Sequence, residues 1–170
     1  MKTKKLTLNK IQQLDNKFNE QKKVILLGEY ECLIDKEFRK SKIQKMIIDY
    51  FNIIQELEKL KIEADHIVKS VGILNTLIVK YFTDLPIPDS ENVSQLLQIT
   101  DRLLDLGILE ELFNENGFEQ SQLDLISQEL DKSSDNLSKL FDSMVFGKEN
   151  NSRNESDINV GVIEEKTPAN

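Results

Sequence analysis

Apolar residues recur at spacings of three and four along most of the chain, which is the periodicity of amphipathic helices. The pattern predicts helices over residues 7–20, 41–61, 65–82, 90–106, 108–116 and 121–141. The helix over 65–82 is apolar almost all round in its second half, so we expect it at the centre of the fold. Helix boundaries are predicted from a capping box at Ser41-Lys-Ile-Gln44, from N-caps at Asp65 and at Asp89 or Ser90, and from Gly107 and Gly117 as terminators.

Residues 22–34 break the helical pattern with two short β-branched and aromatic runs on either side of Gly28-Glu29. Glycine accepts a positive φ at the first position of a two-residue turn, so this segment predicts a β-hairpin. Its apolar face must pack on helices, because a lone hairpin is unstable in water. The predicted fold is mainly α, a compact helical domain over residues 1–147 with a small N-terminal β-hairpin. Apolar periodicity stops there, and residues 148–170 are predicted to be a disordered polar tail.

Charge is unevenly spread along the 170 residues, whose net charge is −8. Residues 1–61 hold 14 basic and 9 acidic side chains, whereas residues 62–170 hold 8 and 21. This asymmetry is typical of two binding faces or of two parts that attract each other, and we favour the second interpretation. The single Cys excludes a disulfide framework. No signal peptide and no apolar stretch of spanning length is present, so we expect a cytoplasmic protein that does not enter a membrane.

The sequence offers little catalytic chemistry. His66 is the only imidazole, and nothing places a nucleophile beside it. Cys32 alternates with apolar residues of the hairpin and is interpreted as a small buried side chain. No phosphate-binding glycine motif or calcium loop occurs. We therefore predict no catalytic, cofactor-binding or metal-binding residue and no enzymatic activity. Two carboxylate pairs at i, i+4 spacing are interpreted as solvated helix surface: Asp101 with Asp105, and Glu111 with Glu115.

A basic cluster surrounds the start of the second predicted helix and consists of Lys36, Arg39, Lys40, Lys42 and Lys45. Such a cluster at a helix N-terminus suits a phosphate or an acidic partner. It supports an alternative function, a small regulatory or nucleic-acid-associated protein that uses its basic N-terminal third. Aromatic residues are not interleaved with the cluster, and the acidic remainder of the chain would repel a polyanion. Both features argue against nucleic acid as the partner.

The order of segments resembles that of the small tail assembly chaperones of tailed phages and prophages of Gram-positive bacteria. The resemblance covers roughly residues 5–145. It is carried by a short helix followed by the hairpin over residues 24–34, and by residues 38–44, 77–88 and 103–109. These segments are architectural, and the family has no catalytic signature.

This resemblance implies a non-enzymatic protein without cofactors, acting in the cytoplasm of the bacterial host. Its implied partners are the tape measure protein, which it keeps soluble, and the tail tube protein, which it helps to recruit. Self-association is left open. An apolar groove on an acidic helical body suits an amphipathic partner helix. We predict partner contacts at an apolar rim, although each of its residues also fits the core: Tyr81, Phe82, Leu85, Ile87, Leu109, Leu112 and Phe113.

Overall fold

A computed structural model of the chain describes residues 3–59, 66–89 and 92–153, with side chains for all of these except residues 66, 67 and 137–153. The described part is mostly helical and carries one two-stranded antiparallel hairpin, which confirms the predicted fold class. The elements in chain order are α1 (Leu8–Asp15, continued by a 3-10 turn over Asn16–Asn19), β1 (Gln21–Leu26), β2 (Tyr30–Asp35), α2 (Lys40–Lys59), α3 (His66–Phe82), α4 (Val93–Asp105), α5 (Ile108–Phe113) and α6 (Gln120–Arg153).

The chain divides into two compact units, Met1–Leu130 and Asp131–Asn170. The first unit contains α1 to α5, the hairpin and the first part of α6. In the second unit, the described residues continue α6 to Arg153, so the helix includes residues 148–153, which the sequence pattern assigns to the polar tail. The helix also passes without a break through residues 133–135. The rest of the predicted tail, residues 154–170, lies outside the described residues.

Helix α3 supplies the centre of the core in the first unit, as its sequence predicts. Its buried apolar side chains are Ile73, Leu77, Ile78, Val79 and Phe82. The Phe82 ring stacks on that of Phe38, with ring centroids 3.8 Å apart, and Phe118 meets Phe38 edge-on at 5.8 Å. These rings join the residues between the hairpin and α2, the end of α3 and the loop before α6 in one apolar cluster.

Two helix starts differ from the predicted ones. Helix α2 begins at Lys40, and the Arg39 carbonyl accepts from the N–H of Ile43 at 3.0 Å. Ser41 therefore lies inside the first turn, and the predicted capping box is wrong. Helix α4 begins after Asn92, whose side chain accepts from the N–H of Ser94. Asn92 replaces the predicted caps because an Asx side chain next to the first helical residue satisfies an otherwise free N–H. Of the predicted caps, Asp65 and Ser90 lie outside the described residues.

The hairpin differs from its prediction at the turn. Leu26 pairs with Tyr30, so the connection holds three residues, Leu27 to Glu29, instead of the two predicted. The positive φ angles belong to Leu27 (52°) and Gly28 (75°), which places glycine second instead of first. A leucine rarely adopts a positive φ, so the surrounding contacts must hold this one in place.

Candidate functional site

The predicted apolar rim is divided between the core and a half-buried margin. Phe82 and Leu112 are fully buried, and Leu109 is 5% exposed. A partner cannot reach these three side chains in this conformation, because α3 and α5 turn them towards the core. The other four predicted rim residues are half-buried and pack against the core cluster: Tyr81, Leu85, Ile87 and Phe113.

Tyr81 directs its hydroxyl to a partner within the chain. The hydroxyl donates a hydrogen bond to the Asp49 carboxylate on α2. Burial, and then the Asp49 carboxylate, raise the pKa of Tyr81 well above its ordinary value. The side chain therefore remains a neutral donor that ties α3 to α2, so its polar end is not available to a partner.

A cleft of about 290 Å³ opens beside this contact, between α2, the end of α3 and the start of α4. Lys80 and Asp89 form an ion pair of 2.6 Å at its margin, and this contact lowers the pKa of Asp89. The cleft has an apolar floor and a polar rim, and its lining residues are Asp49, Asn52, Ile53, Glu56, Leu77, Lys80, Asp89, Val93 and Leu96.

The basic cluster is largely neutralised by carboxylates of the same chain. Four of its members form ion pairs: Lys36 with Glu20 (3.5 Å), Arg39 with Asp15 (2.5 Å), Lys40 with Glu129 (3.4 Å) and Lys42 with Asp35 (2.9 Å). A further pair joins Lys22 to Glu119 at 3.5 Å. Two of these contacts, from Lys22 and Lys40, link the basic third to the acidic remainder of the chain. These contacts support the interpretation that the basic and acidic parts of the chain attract each other.

Helix α1 presents the most unusual surface of the described residues. Its sequence is amphipathic as predicted, yet all eight of its residues are described and none is buried. The exposed fractions of its apolar side chains are 70% for Leu8, 48% for Ile11 and 55% for Leu14, and Leu6 just before it is 64% exposed. We call Leu6, Leu8, Ile11 and Leu14 the α1 stripe. A helix normally buries such a face against another element.

Contacts at the C-terminal end of α1 attach it to the rest of the unit. The Arg39 guanidinium donates to Asp15 at 2.5 Å and to Asn19 at 2.9 Å. The Phe18 ring is half-buried, with the Arg39 guanidinium carbon 5.1 Å and the Lys17 ammonium 4.8 Å from its centroid. These groups hold the helix in place without covering the α1 stripe. The sequence marks the stripe by its periodicity, but periodicity does not reveal that the face remains open.

The residues that the sequence analysis considered for catalysis or metal binding have structural roles where the structure describes them. Cys32 is fully buried. Glu111 accepts from the N–H of Leu27 at 2.8 Å, so this carboxylate fixes the hairpin turn and is more than solvated surface. The His66 side chain lies outside the described residues.

Among the described residues, no cluster of three or more His, Cys, Asp or Glu is arranged to hold a metal ion. Nor does the described part contain a helix with the length and apolar character needed to cross a membrane.

Comparison with known protein families relates the chain to a family. The model of the YomO family matches residues 8–162, which is most of the chain and includes α1, the hairpin and α2 to α6. The chain matches no curated protein and no solved structure. Since the family match extends over far more than half of its length, the chain belongs to the YomO family.

Proposed function

We propose that this protein is a phage tail assembly chaperone, a non-enzymatic binding protein of the host cytoplasm. It keeps the tape measure protein soluble and helps to recruit tail tube subunits. Two observations support the proposal besides the α1 stripe. The order of helices and hairpin resembles that of such chaperones, and the YomO family name is associated with phages and prophages.

The α1 stripe is the observation that carries the proposal. Four apolar side chains, each about half exposed or more, follow one another over residues 6–14. An apolar helix face of this kind fits a second amphipathic helix, which would cover it by helix-to-helix packing. A tape measure protein is long and helical, so it offers such faces repeatedly. We therefore place the primary partner contact on α1 instead of on the rim predicted from the sequence.

The alternative function, nucleic-acid association through the basic third, is not supported by the charges. Four cations of the basic cluster already face carboxylates at 2.5–3.5 Å. A phosphate would have to compete with those carboxylates, and the net charge of −8 on the whole chain would oppose its approach.

The test is co-expression with the tape measure protein of the same phage or prophage, comparing two double variants of α1. Ile11→Gln with Leu14→Gln removes the apolar side chains of the stripe, and Asn9→Ala with Gln12→Ala changes two exposed polar positions of the same helix. Because α1 buries no residue, both variants should fold. Burying an apolar side chain contributes roughly 1.5–3 kcal/mol, so we expect the first variant to bind at least about tenfold more weakly.

The expected result is a soluble complex with the unaltered chain and with the polar control, and an insoluble partner with the stripe variant. Two results would contradict the proposal. One is a tape measure protein that stays equally insoluble with and without the unaltered chain. The other is a stripe variant that changes only the oligomeric state of this chain in light scattering while the partner remains soluble.

A further inference from the structure

The two outer edges of the hairpin are treated differently by the rest of the chain. The outer edge of β2 is occupied next to Leu33, whose carbonyl accepts from the N–H of Asp84 at 3.1 Å and whose N–H donates to the Asp84 carboxylate at 2.8 Å. Continuing the antiparallel register of Ile34 with Thr83 would bring Pro86 opposite Glu31. Proline has no N–H, so pairing along this edge stops there.

The alternation of hydrogen bonds in an antiparallel ladder determines which backbone groups of β1 face its outer edge. The N–H of Lys36 donates to the carbonyl of Glu20 at 2.9 Å, in register with the strand pairs. The even-numbered residues of β1 therefore hydrogen-bond to β2, and the backbone groups of Gln21, Lys23 and Ile25 point away from it. Leu27 continues the outward series, and its N–H is the one that Glu111 accepts.

The outward-facing residues of β1 before Leu27 remain open. Within the described residues, the outward backbone groups of Gln21, Lys23 and Ile25 have no hydrogen-bond partner, and the last two lie in the middle of the strand. Both side chains are exposed, with Ile25 49% exposed. An unpaired edge with exposed backbone groups is a template for an added strand, and proteins usually protect such edges. Here the chain occupies the edge of β2 at Leu33 and the edge of β1 at Leu27, but it leaves the middle of β1 open.

The charges of β1 indicate what fits this edge. The strand, Gln21–Leu26, carries Lys22 and Lys23 and no acidic residue. Lys22 is only 25% exposed and pairs with Glu119 at 3.5 Å, whereas Lys23 is 54% exposed and pairs with Glu31 at 2.7 Å. An ammonium has three N–H donors, so Lys23 can also donate to a second carboxylate without leaving Glu31. Pairing of β1 with β1 of a second copy would bring four lysines into one sheet, and like charges on neighbouring strands repel. An acidic strand avoids this repulsion.

We propose that the outer edge of β1 binds an extended segment of a partner protein by strand addition, with an acidic side chain opposite Lys23 and an apolar one opposite Ile25. The main-chain hydrogen bonds of Lys23 and Ile25 supply the affinity for an added strand. The two cross-strand side-chain pairs supply the preference for an acidic and an apolar side chain on that strand. This surface is distinct from the α1 stripe, which fits a helix.

The probe is a capped pentapeptide, Val-Thr-Glu-Thr-Thr, which in antiparallel addition sets Val opposite Ile25 and Glu opposite Lys23. It is titrated into the full chain by two-dimensional NMR, with residue-resolved hydrogen exchange in the free and bound states. The control peptide replaces Glu by Lys. We expect the amides of Lys23 and Ile25 to exchange fast in the free protein and to become protected by the acidic peptide. The basic peptide should bind at least about fivefold more weakly.

Two protein variants test the backbone contact itself. Ile25→Pro removes an outward N–H and leaves the hydrogen bonds between β1 and β2 in place, which an edge strand tolerates. Ile25→Thr alters the same side chain but keeps the N–H. We expect Ile25→Pro to weaken the acidic peptide about fivefold relative to Ile25→Thr, since one hydrogen bond contributes about 1 kcal/mol. Circular dichroism and thermal unfolding confirm that both variants fold.

Several results would overturn the proposal. These are equal binding of the two peptides, equal binding by the two variants, protection that appears away from β1, and the absence of any peptide binding. Concentration-dependent protection of Lys23 and Ile25 without peptide would assign the edge to a second copy instead, which also overturns it. The stripe variant Ile11→Gln with Leu14→Gln should bind the peptide normally, so failure here and failure of the chaperone proposal are distinguishable.

Discussion

The hydroxyl oxygens of Thr76 and Thr100 lie 2.8 Å apart where α3 packs against α4, and both side chains are buried. Each hydroxyl also lies 2.9 Å from a carbonyl one turn earlier in its own helix, Gly72 for Thr76 and Leu96 for Thr100. One hydroxyl can donate to its carbonyl while the other donates across the interface. The pair is thus fully satisfied inside the core, which is the condition under which buried polar groups are tolerated.

This geometry predicts strongly non-additive effects of substitution at the two threonines. Thr76→Val or Thr100→Val should each lower the free energy of unfolding by about 1 kcal/mol, because each removes the bond between the helices. The double variant should be no less stable than either single one, since two valines of similar shape leave no unsatisfied group. Urea unfolding of the four proteins measures this cycle. Additive losses would show that the two hydroxyls do not interact.

Gly117 sets a steric limit on the link between α5 and α6. A Cβ built at Gly117 would lie 1.8 Å from the carbonyl oxygen of Leu112, which is backbone and cannot rotate away. That carbonyl accepts the N–H of Phe118 at 2.7 Å. We expect Gly117→Ala to destabilise the protein by about 3 kcal/mol or more, since the link must rearrange.

The matched control for Gly117 is Gly28→Ala. Its Cβ would meet no heavy atom within 4 Å, but its φ of 75° disfavours a side chain. It should cost about 1–2 kcal/mol. Thermal unfolding ranks the two variants, and a smaller loss for Gly117→Ala than for Gly28→Ala would contradict the close approach.

The buried thiol of Cys32 leads us to expect that the folded protein loses stability in alkali. Burial, and then the Asp84 carboxylate, raise the pKa of its thiol from 9.0 to about 11. The neutral thiol therefore favours the folded state fully below pH 9, and this contribution is lost as the pH rises towards 11. Urea unfolding from pH 8 to 11 should show a steeper decline for the unaltered chain than for Cys32→Ala. Parallel declines would assign the effect to other groups.

The contact between Arg39 and Asp15 predicts how α1 responds to a substitution outside the α1 stripe. The hydrogen bond from Arg39 lowers the pKa of the Asp15 carboxyl. This contact is present above the ordinary pKa of Asp15 and is lost as the pH falls through the lowered value. In Arg39→Gln, an NMR titration should show the pKa of Asp15 rising, and the amides of α1 should exchange faster.

Lys40→Gln serves as the control for Arg39, because Lys40 pairs with Glu129 instead of with α1. It should leave the pKa of Asp15 and the exchange of the α1 amides unchanged. If Arg39→Gln leaves them unchanged as well, then the Phe18 ring and the 2.8 Å ion pair between Lys17 and Glu37 hold the helix without Arg39.

Local sequence determined the elements of this protein. Helical periodicity located α1 to α6, because amphipathic spacing must match the turn of a helix whatever the helix later packs against. Alternating β-branched residues and a glycine located the hairpin. The terminator Gly107 also followed from local rules, and it has the left-handed φ of 73° that such a position requires. Gly117 does not end α5, because the helix stops at Phe113 with Asn114 as its C-cap, three residues before the predicted end at residue 116. Local sequence did not determine where α4 begins, since several residues near Asn92 can serve as caps.

Tertiary structure alone decided which apolar faces are buried and which charges are paired. Periodicity assigns Leu8, Ile11 and Leu14 to one face in the same way as the buried residues of α3. It depends on the spacing of apolar residues and carries no information about what packs against them. Likewise, Arg39 meets Asp15, and Leu27 meets Glu111, only through folding of distant segments. Burial and pairing depend on contacts between residues far apart in the chain, and for that reason the candidate sites, unlike the fold class, emerged only from the three-dimensional arrangement.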